Sequence, residues 1–302
     1  MYNNINFFEY QNKFSSDSDC RKYLFESRWP NGFECPKCQC NDHSYISSRE
    51  LYQCSNCRYQ CSVIVGTIFE STKTPLFKWF WMIFLIANSK NGYSSSAFTN
   101  LLSIAYGTAL SMTHKIRTAM AARDAKYQLA GLVEMDDAFF GGKNHKGKRG
   151  RGSENKSTVI VGVQLSQKNE RPQYIDMIKV ENLLENTVKE PIKEHVKSGS
   201  TLKTDGYSTY KVLKKYNYKH IPLVVGKPEN ASKLLPWVHI MIANAKGNIR
   251  GTHHGVSPKH LQKYLSEFCY RFNRRYQLNQ RFDRLLCACA LAEPVIIAEL
   301  FA

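Results

Sequence analysis

The sequence lacks an apolar run long enough to cross a membrane. A spanning helix needs about 20 consecutive apolar residues. The two most apolar stretches, residues 76–87 and 285–302, are interrupted by charged residues such as Lys78 and Glu293. The first residues also lack the basic-then-apolar pattern of a signal peptide. These absences predict a soluble intracellular protein without a membrane partner.

Acidic residues are scarce in most of the chain. The 302 residues include 42 Lys and Arg against 25 Asp and Glu, a net charge of +17, and 43% are hydrophobic. Residues 1–74 carry equal numbers of acidic and basic side chains, so the whole excess lies after residue 74. The hydrophobic content is sufficient for a folded core, and the charge predicts an anionic partner such as nucleic acid.

The ten cysteines do not form the pattern of a disulfide framework. Most lie in the first 61 residues, as expected for metal ligands in a reducing compartment. Two C-x2-C pairs, Cys35 with Cys38 and Cys54 with Cys57, are separated by a segment that can pair as a hairpin. Four thiolates in this spacing predict a zinc ribbon with a structural Zn²⁺. Cys40 and Cys61 are surplus and are expected to pack.

The sequence pattern predicts helices in residues 75–130. Pro75 precedes an aromatic helix, and the segment from Ser94 onward reads as helix, turn and helix with Ser and Thr at the start positions. The last helix carries Lys115 and Arg117, which a helix-turn-helix could place in the major groove of DNA. The alternative is a plain three-helix bundle that links two domains.

Three acids occur in an unusual place for such residues, inside an apolar, strand-like run. Alternation puts Glu134 and Asp136 on one face of the strand and Asp137 on the other. Asp205 follows a second strand-like run and precedes Gly206. Acids on adjacent strands of a basic domain predict a divalent-metal site that acts on phosphate, because Mg²⁺ prefers carboxylates, water and phosphate oxygens.

A third polar group lies on the helix predicted to begin at Pro236. If the helix is regular, His239 and Lys246 share a face because they are seven residues apart, and Asn244 points nearly opposite. Strand-like runs after residue 131, with helical stretches interleaved later, predict a mixed α/β domain.

These motifs together resemble the ISXO2-like, IS1595-group bacterial insertion-sequence transposases. The resemblance covers almost the whole chain in matching order. It rests on CPKC and CSNC, on EMDDAFFGGK and TDGYSTY, and on the long blocks WVHIMIANAKGNIRGTHHGVSPKHLQKYL and EFCYRFNRR. It implies three domains: a zinc ribbon with an N-terminal helix at 1–74, a helix-turn-helix-like segment at 75–130, and an RNase H-like catalytic domain with C-terminal helices at 131–302.

The resemblance also implies catalytic roles. Asp136 and Asp205 match the two metal-binding aspartates of a DDE-type transposase, and Lys246 matches the family lysine. The third ligand is Glu in some groups and Asn in others. We expect Asn244 in preference to His239, since an amide oxygen suits Mg²⁺ better than an imidazole does, although the helix-face argument favours His239.

The implied reaction is Mg²⁺- or Mn²⁺-dependent strand cleavage at the ends of an insertion sequence, followed by strand transfer. The implied partners are double-stranded DNA, as terminal inverted repeats and target, and a second copy of the chain in a dimer or higher oligomer. The implied location is the bacterial cytoplasm, in association with the nucleoid. The predicted DNA contacts are Lys115, Arg117, Lys143, Lys146, Lys148, Arg149, Arg151, Lys246, Arg250, Arg274 and Arg275.

Two alternatives stay open. A non-catalytic DNA-binding regulator could use the ribbon and the helix-turn-helix, but it would not need Asp136 and Asp205 at strand ends. Another RNase H-like nuclease would use the aspartates but would leave the other two modules without a task.

Overall fold

A computed structural model describes residues 6–141, 156–168, 170–223 and 234–296. The chain divides into two compact units. Unit 1 comprises Met1–Arg123 together with Tyr276–Ala302, and unit 2 comprises Asp124–Arg275.

Unit 1 begins with two short helices and a small antiparallel sheet. The helices are α1, Phe7–Lys13, and α2, Asp17–Arg28, and each starts with a capping box. The sheet has the order β1-β2-β3, with β1 at His43–Ile46, β2 at Leu51–Cys54 and β3 at Gln60–Cys61. The β1–β2 hairpin is the pairing that the spacing of the cysteine pairs predicts.

Four further α-helices lie in the described part of unit 1. They are α3, Leu76–Asn88; α4, Ser95–Leu102; α5, Tyr106–Asp124, which ends at the unit boundary; and α9, Arg281–Leu291. Ser94 caps α4 as predicted, because its hydroxyl accepts from the backbone N–H of Ala97. The hydroxyls of Ser95 and Thr113 hydrogen-bond at 2.9 Å between α4 and α5.

Unit 2 is built on a five-stranded mixed sheet. Its strands are β4, Leu132–Phe140; β5, Ser157–Leu165; β6, Pro172–Val180; β7, Thr201–Thr204; and β8, Lys219–Pro222. Their spatial order is β6-β5-β4-β7-β8; β5 is antiparallel to β4 and β6, whereas β7 is parallel to β4 and to β8. The sequence predicted the first four strands but not the short polar β8.

Helices cover both faces of this sheet. On one face, β4, β5 and β6 pack against α7, Pro236–His253, and α8, Leu261–Asn273. On the other face they pack against α6, Glu185–His195, and a 3₁₀ helix, Ser208–Tyr216. A small antiparallel sheet in unit 1 and a mixed sheet between helices in unit 2 confirm the predicted α/β class and its architecture.

The two-unit division differs from the predicted domain boundaries. Unit 2 ends at Arg275, and the following helix α9 belongs with unit 1. The physical reason is that α9 packs its apolar face, including Phe282 and Leu286, with α2 and α3. A separate boundary near residue 74 stays a prediction.

Candidate active site

The sheet register brings two aspartates together. In the parallel pair of β4 and β7, Met135 lies opposite Thr204, so the next residues in each strand direction are Asp136 and Asp205. A carboxylate oxygen of each lies in one cluster whose atoms are all within 4.8 Å of one another. The two aspartates therefore meet as the sequence predicted.

Asp137 joins the same cluster, although alternation along β4 assigned it to the opposite face. The reason lies in the sheet, because β7 ends at Thr204. No residue of β7 flanks β4 beyond Met135, and this leaves room for the Asp137 carboxylate to reach the strand end. The backbone N–H of Asp137 also donates to Asp136 Oδ1 at 2.8 Å.

The carboxylate cluster fits a hard divalent cation. Mg²⁺ binds oxygen ligands at about 2.0–2.1 Å, so two ligand oxygens lie roughly 3–4 Å apart. Three like charges within 4.8 Å repel each other unless a cation or protons neutralise them. Asp136 is buried, whereas Asp137 and Asp205 are partly exposed, so the cluster is open to a substrate.

Helix α7 lies beside β4 and brings a histidine to the aspartates. His239 Nε2 is 3.7 Å from Asp136 Oδ2. Seven residues later, the Lys246 ammonium is 5.4 Å from the centroid of the Phe140 ring at the end of β4. The prediction that His239 and Lys246 share a face is therefore confirmed.

The structure does not bring Asn244 to the site. It lies on an exposed part of α7, whereas the face that packs on the sheet carries Val238, Met241 and Ala245. The geometry thus favours His239 over Asn244 as the third group, and the role of either residue stays a prediction. Residue type suggested the amide, but at about 100° per residue Asn244 is rotated about 140° from His239.

Burial and neighbouring charges shift the pKa values of two ionisable groups near the site. Burial raises the pKa of Glu134, against the effect of the backbone N–H groups of Val238 and Trp237. Partial desolvation lowers the pKa of Lys246, as does Lys156, whereas Asp136 acts to raise it. Neither Glu134 nor Lys156 was predicted as a part of this site.

The predicted DNA contacts fall into three groups. Lys115 and Arg117 are buried, with 7% and 2% of their surfaces exposed, and Lys115 Nζ donates to the carbonyl oxygen of Ile68 at 3.2 Å. The prediction that they contact DNA is therefore wrong in this conformation. Every residue of α5 from Met112 to Arg117 is buried, so its basic side chains do not form a surface stripe.

Arg274 and Arg275 are also engaged within the fold. Arg274 Nη2 is 2.7 Å from Asp124 Oδ1, and its guanidinium lies over the Tyr270 ring. Arg275 donates to the carbonyl oxygens of Pro172 and Gln173. Arg274 is buried, which argues against its predicted DNA contact, whereas Arg275 is partly exposed and its predicted contact stays a prediction.

Of the remaining predicted DNA contacts, two lie within the described residues and five lie outside them. Lys246 and Arg250 are exposed on α7 and stay candidates for DNA contact. The basic insert after β4 lies outside the described residues, and so do the predicted contacts within it: Lys143, Lys146, Lys148, Arg149 and Arg151.

The four predicted zinc ligands form a second cluster, in unit 1. The sulfur atoms of Cys35, Cys38, Cys54 and Cys57 all lie within 4.8 Å of one another, with 3.6 Å between Cys35 and Cys57 and 3.5 Å between Cys38 and Cys54. Tetrahedral Zn²⁺ with bonds of about 2.3 Å places its sulfurs about 3.8 Å apart. The cluster fits a closed structural zinc site. Cys40 and Cys61 are outside it, as predicted.

Both cysteine pairs use the same backbone turn. In the first, the N–H of Gln39 donates to the carbonyl of Cys35; in the second, the N–H of Arg58 donates to the carbonyl of Cys54. Gln39 and Arg58 both adopt positive φ, 61° and 59°. Backbone N–H groups of Cys57 and Asn56 act to lower the pKa of the Cys54 thiol, against burial, whereas the neighbouring cysteine sulfurs raise the pKa of Cys57.

Sequence models of known families match the segments that contain the aspartate cluster and the cysteine cluster. The sequence model of the ISXO2-like transposase domain matches residues 128–273, and that of the transposase zinc-ribbon domain of the same IS1595 group matches residues 15–60. The chain belongs to the ISXO2-like, IS1595-group transposases. The transposase-domain match contains Asp136, Asp205, His239 and Lys246.

Individual relatives of this ISXO2-like transposase are distant. An uncharacterized protein in transposable element ISH50 of Halobacterium salinarum is 23% identical over 284 residues, which cover 85% of this chain and 91% of that protein. Two solved structures are also similar. A pre-cleavage Mos1 transpososome has 10% identity and a TM-score of 0.28, covering 68% of this chain and 77% of that one. A Mos1 mariner paired end complex with Mn has 10% identity and a TM-score of 0.24, covering 71% and 79%.

Within the described part of this ISXO2-like transposase, no helix is both long and apolar enough to cross a membrane.

Proposed function

We propose that this transposase cuts DNA at the ends of an insertion sequence and joins the freed ends to target DNA. The observation that carries the proposal is the cluster of Asp136, Asp137 and Asp205 at adjacent strand ends of the transposase domain. Carboxylates in this arrangement are the ligands that phosphoryl-transfer sites use for divalent cations.

Each side chain has a distinct task. Asp136 and Asp205 hold Mg²⁺ or Mn²⁺, and Asp137 supplies a further oxygen. A divalent cation held by these carboxylates would supply activation of a water or a 3′-hydroxyl and neutralisation of charge at the phosphate. The protein supplies no nucleophile; its residues position the DNA and stabilise charge, which is most of what catalysis of phosphoryl transfer requires.

In this proposal His239, rather than Asn244, takes the third catalytic position beside Asp136 and Asp205. Its imidazole lies beside Asp136 and is half-exposed on the face of α7 that contacts the sheet. From there it can ligate the cation or hydrogen-bond Asp136 and the reacting phosphate. Lys246, on the same face, contacts a DNA phosphate.

The partner in this proposal is double-stranded DNA, bound as terminal inverted repeats and as target. Lys246 and Arg250 are the described residues that we assign to phosphate contact. Two ends must be brought together, so a homodimer or larger assembly acts on the DNA. The protein works in the bacterial cytoplasm, where its substrate lies.

The test is strand cleavage and joining on terminal-inverted-repeat DNA with Mg²⁺ or Mn²⁺. Asp136→Ala and Asp205→Ala should each lower the rate by about a thousandfold, and His239→Ala by about tenfold to a hundredfold, because each removes a group at the reacting phosphate. Asn244→Ala is the matched control on the same helix and should stay within about twofold of the wild type.

Several outcomes would contradict the assignment. Full activity in both aspartate variants would exclude a metal site at the strand ends. Loss of activity in Asn244→Ala with retention in His239→Ala would restore the amide as the third group. Cleavage without joining would identify a nuclease, and DNA binding without cleavage would identify a regulator.

A further inference from the structure

Helix α7 starts without a cap of its own. The first N–H groups of a helix have no partner within it, and a side chain at the N-cap position usually accepts from the second or third residue. Here the N-cap residue is Leu235, which makes no side-chain cap, and the first helical residue is Pro236. The N–H groups of Trp237 and Val238 therefore need an acceptor from elsewhere.

Glu134 of β4 is that acceptor. Its Oε2 atom accepts from the N–H of Trp237 at 2.9 Å and from the N–H of Val238 at 2.9 Å, across more than a hundred residues of sequence. Only 3% of the Glu134 surface is exposed. A carboxylate at a helix N-terminus is also stabilised by the helix dipole.

A similar arrangement occurs in unit 1, where another helix that lacks a capping side chain and has a proline at its start takes its acceptor from a distant carboxylate. Helix α3 begins after Pro75, which cannot cap it. The Asp17 carboxylate of α2 accepts from the N–H groups of Leu76 and Phe77 at 3.1 Å and 3.0 Å.

The contact in unit 2 links helix position to the acidic cluster. Glu134 and Asp136 lie on one face of β4, two residues or about 7 Å apart. On α7, His239 follows Val238 directly, and each residue turns the helix by about 100°. A shift of α7 by one residue would therefore rotate His239 away from Asp136.

We propose that Glu134 is a positioning residue of the active site, which fixes the start and rotation of α7 so that His239 and Lys246 face the aspartates. This inference rests on the proposed function for its catalytic meaning. Its structural content, the placement of His239 relative to a metal at Asp136, can be tested without any reaction.

The first experiment measures that placement in the full chain, with Mn²⁺ as the probe and Mg²⁺ as the diamagnetic reference. Mn²⁺ at the aspartates should broaden the NMR signals of the His239 ring strongly, since the imidazole lies 3.7 Å from Asp136. In Glu134→Ala the broadening should fall several-fold. Hydrogen exchange at Trp237 and Val238 should accelerate by at least about tenfold, because these N–H groups lose their acceptor.

Three further variants control for general effects. Glu134→Gln keeps an oxygen at the same position and should largely restore both signals. Glu134→Asp keeps the charge but withdraws the oxygen by one methylene, and serves if the alanine variant does not fold. Glu267→Gln changes an equally buried carboxyl, 2% exposed and paired with Arg271 on α8, and should leave His239 broadening unchanged.

The second experiment measures single-turnover cleavage. Glu134→Ala should lower the rate by about tenfold to a hundredfold with the KM for DNA nearly unchanged, because misplacement by about 1 Å costs this much. Wild-type broadening and wild-type exchange in both Glu134→Ala and Glu134→Asp would overturn the inference. If His239 is displaced in these variants but the wild-type chain cuts no DNA, the positioning role is supported and the proposed function is refuted.

Discussion

Phe282 of α9 offers the sharpest test of the discontinuous unit 1. Its ring lies within 6.1 Å, centroid to centroid, of four other aromatic rings, and only 6% of its surface is exposed. Those rings belong to Tyr10, Phe14, Phe80 and Phe84. Phe282→Ala removes the ring from this cluster and leaves a cavity.

The expected cost is about 3–5 kcal/mol of unit 1 stability, the usual range for a buried Phe replaced by Ala. This raises the population of opened unit 1 by at least about a hundredfold. The matched control is Leu291→Ala on the same helix. Leu291 is 57% exposed, so its loss should cost no more than about 0.5 kcal/mol.

Hydrogen exchange with mass spectrometry on the full chain separates the two units. Phe282→Ala should accelerate exchange in α2 and α3 by the factor given above and leave β4 and β5 at the wild-type rate. Unchanged protection of α3 would show that α9 contributes little to the core of unit 1. Equal loss of protection in β5 would show that α9 supports unit 2 instead, and the division of the chain would be refuted.

Two further predictions concern the zinc site and a histidine. Cys54→Ser should release the zinc of the ribbon and raise hydrogen exchange across it, whereas Cys40→Ser should keep the zinc. The measurement is bound zinc per chain, and retention of zinc in both variants would refute the four-sulfur site. The hydrogen bond that the His195 ring donates to the Asp176 carboxylate raises the pKa of His195, against the effect of burial. This pair therefore stabilises the fold fully below the unfolded pKa of about 6.5 and progressively less as pH rises through the folded pKa. The stability lost in His195→Gln, measured by urea unfolding, should shrink with rising pH; a constant loss would contradict the assignment.

Much of the fold was predictable because its signals are local. Two C-x2-C pairs at short separation predict the ribbon ligands without any long-range contact. Strand-like runs predict β4 to β7, and the 3.6-residue period predicts that His239 and Lys246 share a face. The preference for Asn244 gave residue type more weight than helix geometry, and the observed helix favours His239 instead.

The remaining features depend on contacts between distant residues. The sequence predicted Lys115 and Arg117 on the surface because they are charged. A count of charges does not show that the centre of α5 is buried on nearly all sides. Glu134 could be placed on the face of Asp136, but its partner lies more than a hundred residues away. One local signal was present: Leu235 followed by Pro236 starts a helix that lacks a capping side chain, and such a helix needs an acceptor from another segment.

The assignment of α9 to unit 1 has a consequence for synthesis of the protein. Unit 2 is inserted between α5 and α9, and its ends hold each other through Asp124 and Arg274, so it can close on itself as soon as it emerges. Unit 1 cannot, because Phe282 is made after all of unit 2. At about 5–20 residues per second, this delay is on the order of 10–30 s. During that interval the part of the aromatic cluster that Phe282 covers, beside Tyr10, Phe80 and Phe84, is open to solvent. A chaperone that binds exposed apolar surface would find its substrate there.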